Sequence, residues 1–388
     1  MTRHAGLAAA LLTLLAAAAG PGAIAQAASA RLDDPAAVRD YWTPQRLATA
    51  YGVHLPAVDL APPPEIRRTF EAAAAQPDYD RRPAEPRSRR APDFERFLFD
   101  PALFRGPHRT RQLLRTDSTR EVPFAPTAKG NAGLYYSSSR LVPEDARVVF
   151  PYSAVGKLFF STGGSDFVCS GAVISARIVA TAGHCVFSSR RFHRNFLFVP
   201  AYHEGNAPYG EWGVDEVFTT DAWTDGDDLV PNEGDYGMLV VADEGGERIG
   251  DVTGWLGFKT NQLAPNAITI LGYPVNLDGG QQMHHTTSSD WDSVDATGSI
   301  VYGSDMGGGA SGGPWVMNFG QKARGQNRGR NRLDNRIVGH SSFGSSDANF
   351  LVLGSSPLDG SYRDLFNEAC AGDPRNCQKR GKTQRPRN

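Results

Sequence analysis

Residues 305–315 read Asp-Met-Gly-Gly-Gly-Ala-Ser-Gly-Gly-Pro-Trp, and the apolar run Trp315-Val316-Met317 ends the stretch. Ser311 stands among five glycines, at 307, 308, 309, 312 and 313. A serine so placed is odd for a strand and sensible for a nucleophile carried on a turn. Gly309 frees its peptide N–H to point, together with the Ser311 N–H, at a developing oxyanion. Gly312 and Gly313 are expected to keep side chains out of a substrate's path. A flexible Gly/Ser loop has a similar composition, but the apolar run that follows at once marks structured flanks.

The same texture, a turn followed by a short apolar run, recurs on both sides. Val148–Phe150, Val168–Ile174, Phe196–Tyr202, Tyr236–Val241, Ala267–Tyr273, Ser299–Tyr302, Trp315–Phe319 and Ile337–Gly339 are rich in Val, Ile, Phe and Tyr, with Gly, Asn, Asp or Pro between them. That spacing predicts an all-β barrel or sandwich. One helix is expected near the end, where Leu358, Tyr362, Leu365 and Phe366 form a single apolar stripe. The body so defined runs from 141 to 370.

Two further motifs lie within it. Val179-Ala180-Thr181-Ala182-Gly183-His184-Cys185 sets a histidine on a run of small residues that can turn tightly. The adjoining Cys185 can anchor that turn to Cys169, sixteen residues upstream. A base in acyl transfer must be held still, and such a staple would hold it. Gly234-Asp235-Tyr236-Gly237 places a carboxylate at the lip of an apolar strand, where it can accept the N–H of His184 and orient the ring. Asp225, Asp227, Asp228 and Asp243 compete for this role, but only Asp235 has the strand immediately behind it.

On T-A-G-H-C at 181–185, D-Y-G at 235–237 and D-M-G-G-G-A-S-G-G-P-W at 305–315, the chain resembles the chymotrypsin-fold serine proteases, in the bacterial secreted branch that includes glutamyl endopeptidases. The order His, Asp, Ser matches that fold and differs from the subtilisin and α/β-hydrolase orders. The resemblance implies two six-stranded antiparallel β-barrels with a C-terminal helix, and a triad of His184, Asp235 and Ser311. It also implies an oxyanion hole from Gly309 and Ser311, and a cleft strand, Gly339-His340-Ser341-Ser342-Phe343-Gly344, whose Ser342, Phe343 and Gly344 meet the substrate backbone.

Departures shift the expectation. Ala310 stands where the mammalian branch carries the Asp that binds a freed N-terminus, so that activation switch cannot operate. Glutamyl endopeptidases place a specificity histidine where this chain has Ser341, one residue after His340. Asp305, six residues before Ser311, stands where trypsin-like relatives carry the carboxylate of the primary pocket. It directs the expectation toward cleavage after Arg or Lys, with a small or apolar residue and then glutamate as alternatives.

The rest of the chain frames this body. Apolar residues make 40% of the 388, enough for a sizeable core, which excludes wholesale disorder. A net charge of −2 leaves no global footprint for nucleic acid. The basic stretches 321–336 and 378–387 lack interleaved aromatics and suit a solvated loop and tail. Residues 1–25 suit a signal peptide: an apolar stretch from Ala5 to Ala19 precedes Ala23-Ile24-Ala25 before Gln26. That stretch is too short to span a membrane, and none later approaches the length.

Residues 31–140 hold 17 Arg, one Lys and many Pro and Ala with little sustained period. This suits a linker or loosely folded pro-region over 26–140, removed near Arg140–Leu141, and 371–388 reads as a basic tail. Export permits disulfides, and short separations favour Cys169–Cys185 and Cys370–Cys377. No cofactor or metal is expected, because the Cys gaps of 16, 185 and 7 do not supply the closely spaced pairs of a structural zinc site. The expectation is a monomeric serine endopeptidase, secreted to the exterior or the periplasm, that acts on polypeptides. A catalytically inactive binding or adhesion protein on the same fold is the alternative.

Overall fold

Val155–Thr162 (β1) and Ser165–Val173 (β2) form an antiparallel hairpin over eight paired positions, with Leu158 opposite Cys169. Ile178–Thr181 (β3), Arg194–Pro200 (β4), Trp212–Thr220 (β5) and Gly237–Val241 (β6) complete a circuit β2-β1-β4-β5-β6-β3. The pairing of β3 with β2 closes it, so six antiparallel strands make a barrel without an edge. Irregular register at 194–197 and at 214–216 gives β4 and β5 the extra bend that closure needs. Leu158, Val179, Phe198, Val217 and Leu239 fill the interior and are all fully buried.

The structure is a computed structural model that describes residues 27–32, 34–58, 78–103, 109–111, 136–226, 228–263, 267–288, 291–294, 298–320, 334–347 and 351–377. The expected leader at 1–25, most of the basic stretch 321–336 and the tail beyond 377 lie outside these residues.

The second half adds Gly257–Lys259 (β7), Ile268–Gly272 (β8), His284–Ser288 (β9), Trp291–Val294 (β10), Ser299–Gly303 (β11), Pro314–Met317 (β12), Arg336–His340 (β13), Phe343–Ser345 (β14) and Val352–Ser355 (β15). They pair as β7-β13-β12-β8-β9 and as β10-β11-β15-β14. Among the described residues the second body is therefore two sheets rather than one closed circuit. Ile268, Ile270, Tyr302, Trp315, Val338 and Leu353 form its apolar core. The architecture is all-β with two bodies, as the strand pattern and the resemblance predict.

The expected helix is Gly360–Ala371, capped at its start by Asp359, whose side chain accepts the Ser361 N–H. Its buried Tyr362 and Phe366 hold the Phe258 ring edge-on at 5.0 and 5.1 Å. Among the described residues no helix is long and apolar enough to cross a membrane.

The expectation of a linker or loosely folded stretch before residue 141 needs correction for the residues described. Ala27–Arg31 adds a strand to β5, and Asp80–Arg81 adds one to β7. The short helices Pro35–Tyr41 and Pro44–Thr49 bury Val38, Trp42, Leu47 and Ala48 in the first barrel's core. Trp42 meets Phe159 edge-on at 5.6 Å, and its indole N–H donates to the Asn195 carbonyl at 2.6 Å. The apolar islands of this segment are too sparse to build a core of their own, so they complete the body's.

Tyr136–Arg140 pairs with β9 along five positions. The expected boundary at 140 thus falls at the end of a strand that is integral to the second body.

Candidate active site

β3 pairs with β6 so that Thr181 faces Gly237, which brings the turn after β3 beside the residues before β6. That turn, Gly183–Cys185, is fixed to β2 by a disulfide from Cys185 to Cys169. A second disulfide joins Cys370 to Cys377 beyond the C-terminal helix.

Asp235 consequently reaches His184 twice. Its Oδ1 accepts the His184 backbone N–H at 2.8 Å, and its Oδ2 lies 2.9 Å from the ring Nδ1. The Ser342 hydroxyl, from just before β14, donates to the same Oδ2. An ionised carboxylate only accepts, so Nδ1 carries the proton and Nε2 is left as a base. His184 Nε2 and Ser311 Oγ are both buried without a hydrogen-bond partner among the described residues. The rival carboxylates act elsewhere: Asp228 accepts from the Ser189 N–H, Asp243 pairs with Arg177 at 3.0 Å, and Asp225 ends the short helix Asp221–Thr224. Asp227 lies outside the described residues.

The loop that carries Ser311 is gripped from the first barrel by a residue the sequence did not single out. Ser170 follows Cys169 on β2. Its N–H donates to the Ser311 carbonyl at 2.7 Å, and its Oγ donates to the Gly309 carbonyl at 2.9 Å. The only sequence signal was its place beside the disulfide. Gly309 has φ of 90° and Gly312 has φ of 76°, both in the region that glycine alone enters freely. A Cβ at Gly312 would meet Thr181 Oγ1 and stand 2.6 Å from the Ser170 carbonyl, while one at Gly313 would strike the Leu271 backbone. These glycines therefore let strands approach the loop. The expectation that they clear a path for substrate is corrected.

The remaining expected residues divide. Gly344 is buried, and its N–H donates to the Pro56 carbonyl at 2.9 Å. Phe343 is buried under β15, and the Ser342 side chain serves Asp235. Asp305 has a buried Oδ1 without a hydrogen-bond partner among the described residues, and its carbonyl accepts from the Asn276 side chain at 2.9 Å. Its charge is felt by Tyr136, whose hydroxyl is pushed up to about 12 mainly by burial and then by Asp305.

His340 is structural in its contacts. Nδ1 lies 3.2 Å from the Gly312 carbonyl and Nε2 lies 3.0 Å from the Tyr362 hydroxyl, so the ring ties the nucleophile loop to the C-terminal helix. Burial holds this histidine down at about 4, so it stays neutral.

Among the described residues, Cys169, His184 and Cys185 cluster as possible metal ligands. Both sulfurs are bound to each other, which leaves a single imidazole and no donor set for zinc.

No protein-family model matches the chain. It is 29% identical over 209 residues to the glutamyl endopeptidase of Bacillus licheniformis, covering 51% of this chain and 61% of that protein. It is 26% identical over 178 residues to a protein named extracellular metalloprotease in Bacillus subtilis strain 168, covering 44% and 53%. The chain thus spans somewhat over half the length of these relatives. Among solved structures it is similar to the thermostable serine protease AL20 from an extremophilic microorganism, at 27% identity and TM-score 0.49 over 60% of this chain and all of that one. It is also similar to the protease Anisep of Arthrobacter nicotinovorans, at 26% identity and TM-score 0.48 over 56% and 96%. By its strand topology, its site and its similarity to the Bacillus licheniformis enzyme, the body of this chain resembles a chymotrypsin-fold serine protease related to the glutamyl endopeptidases.

Proposed function

We propose that the chain is a secreted serine endopeptidase that hydrolyses peptide bonds through an acyl-enzyme. Ser311 attacks the carbonyl, and His184 takes the proton on Nε2 and returns it to the leaving amine. Asp235 holds the ring in the required tautomer and stabilises the imidazolium, while the N–H groups of Gly309 and Ser311 receive the oxyanion. The observation that carries this reading is the double grip of Asp235 on His184, which leaves Nε2 as the only free ring nitrogen. The substrates are polypeptides, since the relatives are named as endopeptidases and proteases. The disulfides and the apolar N-terminus support export.

Maturation removes the N-terminal segment upstream of Tyr136, so that the strand on β9 stays with the enzyme. N-terminal sequencing of the secreted form tests this, and a start at Leu141 would refute it. The decisive experiment for the activity is Ser311→Ala assayed on casein. Loss of kcat by about 10⁴-fold or more is expected, with residual catalysis only from binding and the oxyanion site. Undiminished hydrolysis would remove Ser311 from the mechanism. Binding of polypeptide by a wild-type chain that hydrolyses nothing would favour the inactive alternative.

A further inference from the structure

The chain's own N-terminal segment lies against the nucleophile loop. Tyr51–Val53 lies parallel to β2, and the Gly309 N–H donates to the Val53 carbonyl at 2.9 Å. That N–H is the one the mechanism assigns to the oxyanion. Farther on, Ala57–Val58 pairs in parallel with β14. Gly344 N–H donates to the Pro56 carbonyl at 2.9 Å and Ser346 N–H to the Val58 carbonyl at 2.8 Å. Between these two anchors Leu55 is buried to 4% exposure and belongs to the apolar cluster of Met306, Ala310, Tyr302 and Leu353, which lies beside the nucleophile loop.

Residues 109–111 cover the segment from outside. The Gly52 N–H donates to the Arg109 carbonyl at 3.3 Å and the His54 N–H to the Arg111 carbonyl at 3.0 Å. The approach is tight: a Cβ at Gly308 would stand 2.6 Å from the Val53 carbonyl oxygen. His184 and Ser311 are each 0% exposed, and no polypeptide can reach them in this state.

We propose that residues 51–58 are an autoinhibitory strap that occupies the substrate cleft, with the Val53 carbonyl in the oxyanion site and Leu55 in the primary pocket. This rests on the endopeptidase reading and adds its regulation. The strap is out of register for cleavage. In a productive complex the residue in the primary pocket is the one whose own carbonyl is attacked. In the strap, pocket and oxyanion site hold residues two positions apart, so both subsites are filled without a scissile bond between them. The chain also leaves the oxyanion site toward β14, so an acyl group formed at Val53 would carry its chain away from the pocket. The occupant further identifies the pocket's chemistry, which accepts an apolar side chain of leucine size.

The test uses the full chain and its processed, secreted form. A fluorophosphonate probe, which reacts with an activated serine hydroxyl, should label Ser311 at least about tenfold more slowly in the full chain. Leu55→Asp, which would bury a carboxylate among apolar groups, should raise labelling of the full chain toward the processed rate. A synthetic peptide of residues 50–58 should inhibit the processed enzyme competitively and be recovered intact, and its Leu55→Asp version should not inhibit. This second arm decides the matter if the substituted full chain does not fold. The proposal is overturned if an active processed enzyme ignores the peptide, if it cuts the peptide between 53 and 56, or if the full chain is labelled as fast as the processed form. Failure of both forms to take label or hydrolyse casein would sink the endopeptidase reading itself, and the strap with it.

Discussion

The body from 136 onward and the segment before it bury the same kinds of side chain, yet they use them differently. In the body, strands of up to nine residues hydrogen-bond to one another and the first six close on themselves. In the segment, strands run from two to five residues, and all but Thr110–Arg111 find their partner in the body when they pair at all. Strands this short are not stable by themselves. The segment's conformation is therefore written largely in the surface it lies on, and removing it should leave the body's own hydrogen bonds intact.

The sharpest attack on this contrast is Trp42→Ala. Trp42 is a buried residue of the segment set into the body's core, so its loss should destabilise the full chain by about 3–5 kcal/mol. Calorimetry of the wild-type processed form should show it folded without that contact. If the processed form fails to hold together, the segment is part of the core and the contrast is wrong. The matching change inside the body is removal of the Cys169–Cys185 disulfide, which closes a separation of 16 residues. Denaturant unfolding of the double Ala variant should show a loss of about 3 kcal/mol, in full chain and processed form alike.

A third test uses pH, and both groups it concerns belong to the body. Burial pushes His193 down to about 3, assisted by His184 and Arg191, and it pushes His340 down to about 4, each from the ordinary 6.5. Both stay neutral in the folded chain while the unfolded chain takes up protons near 6.5. Their contribution is complete above that pH and is lost as the pH falls toward 4 and 3. Melting of the processed form should therefore fall between pH 6.5 and 4, by on the order of 2 kcal/mol for His340 alone. His340→Asn should flatten that part of the slope. The smallest expected effect is at the segment's rim: Arg39 pairs with Glu244 at 2.7 Å but is partly exposed. Arg39→Ala should shift the full chain's stability by less than about 1 kcal/mol and should lose even that in high salt.

These asymmetries explain what could be read in advance. Runs such as Val168–Ile174 and Ala267–Tyr273 are strands because a mostly apolar, β-branched-rich stretch between turn residues has few other solutions. β1 was missed because Lys157 interrupts it. That lysine is fully buried, donates to the Gly280 carbonyl at 2.8 Å and lies 4.5 Å over the Tyr202 ring. β5 was missed because Asp215 and Glu216 break its pattern, though Asp215 is satisfied by Arg177 at 2.8 Å. Val148–Phe150, expected as a strand, instead begins at the last residue of a 3₁₀ turn, Glu144–Val148, and leaves it through a bend and a turn, between Pro143 and Pro151.

In the site, the residues with chemical character carried local signatures. Ser170 and the strap did not, since a main-chain hydrogen bond to a distant loop leaves no mark on side-chain chemistry.

The site is also divided along the chain. His184, Asp235 and Ser170 come with the first barrel, while Ser311, Gly309 and Ser342 come with the second body, and the bonds of Ser170 and Ser342 cross between them. Neither half alone contains an oriented base and a nucleophile. Competence thus works as a coincidence check: an emerging or half-collapsed chain is chemically inert, and assembling the machinery requires the two bodies to be correctly docked.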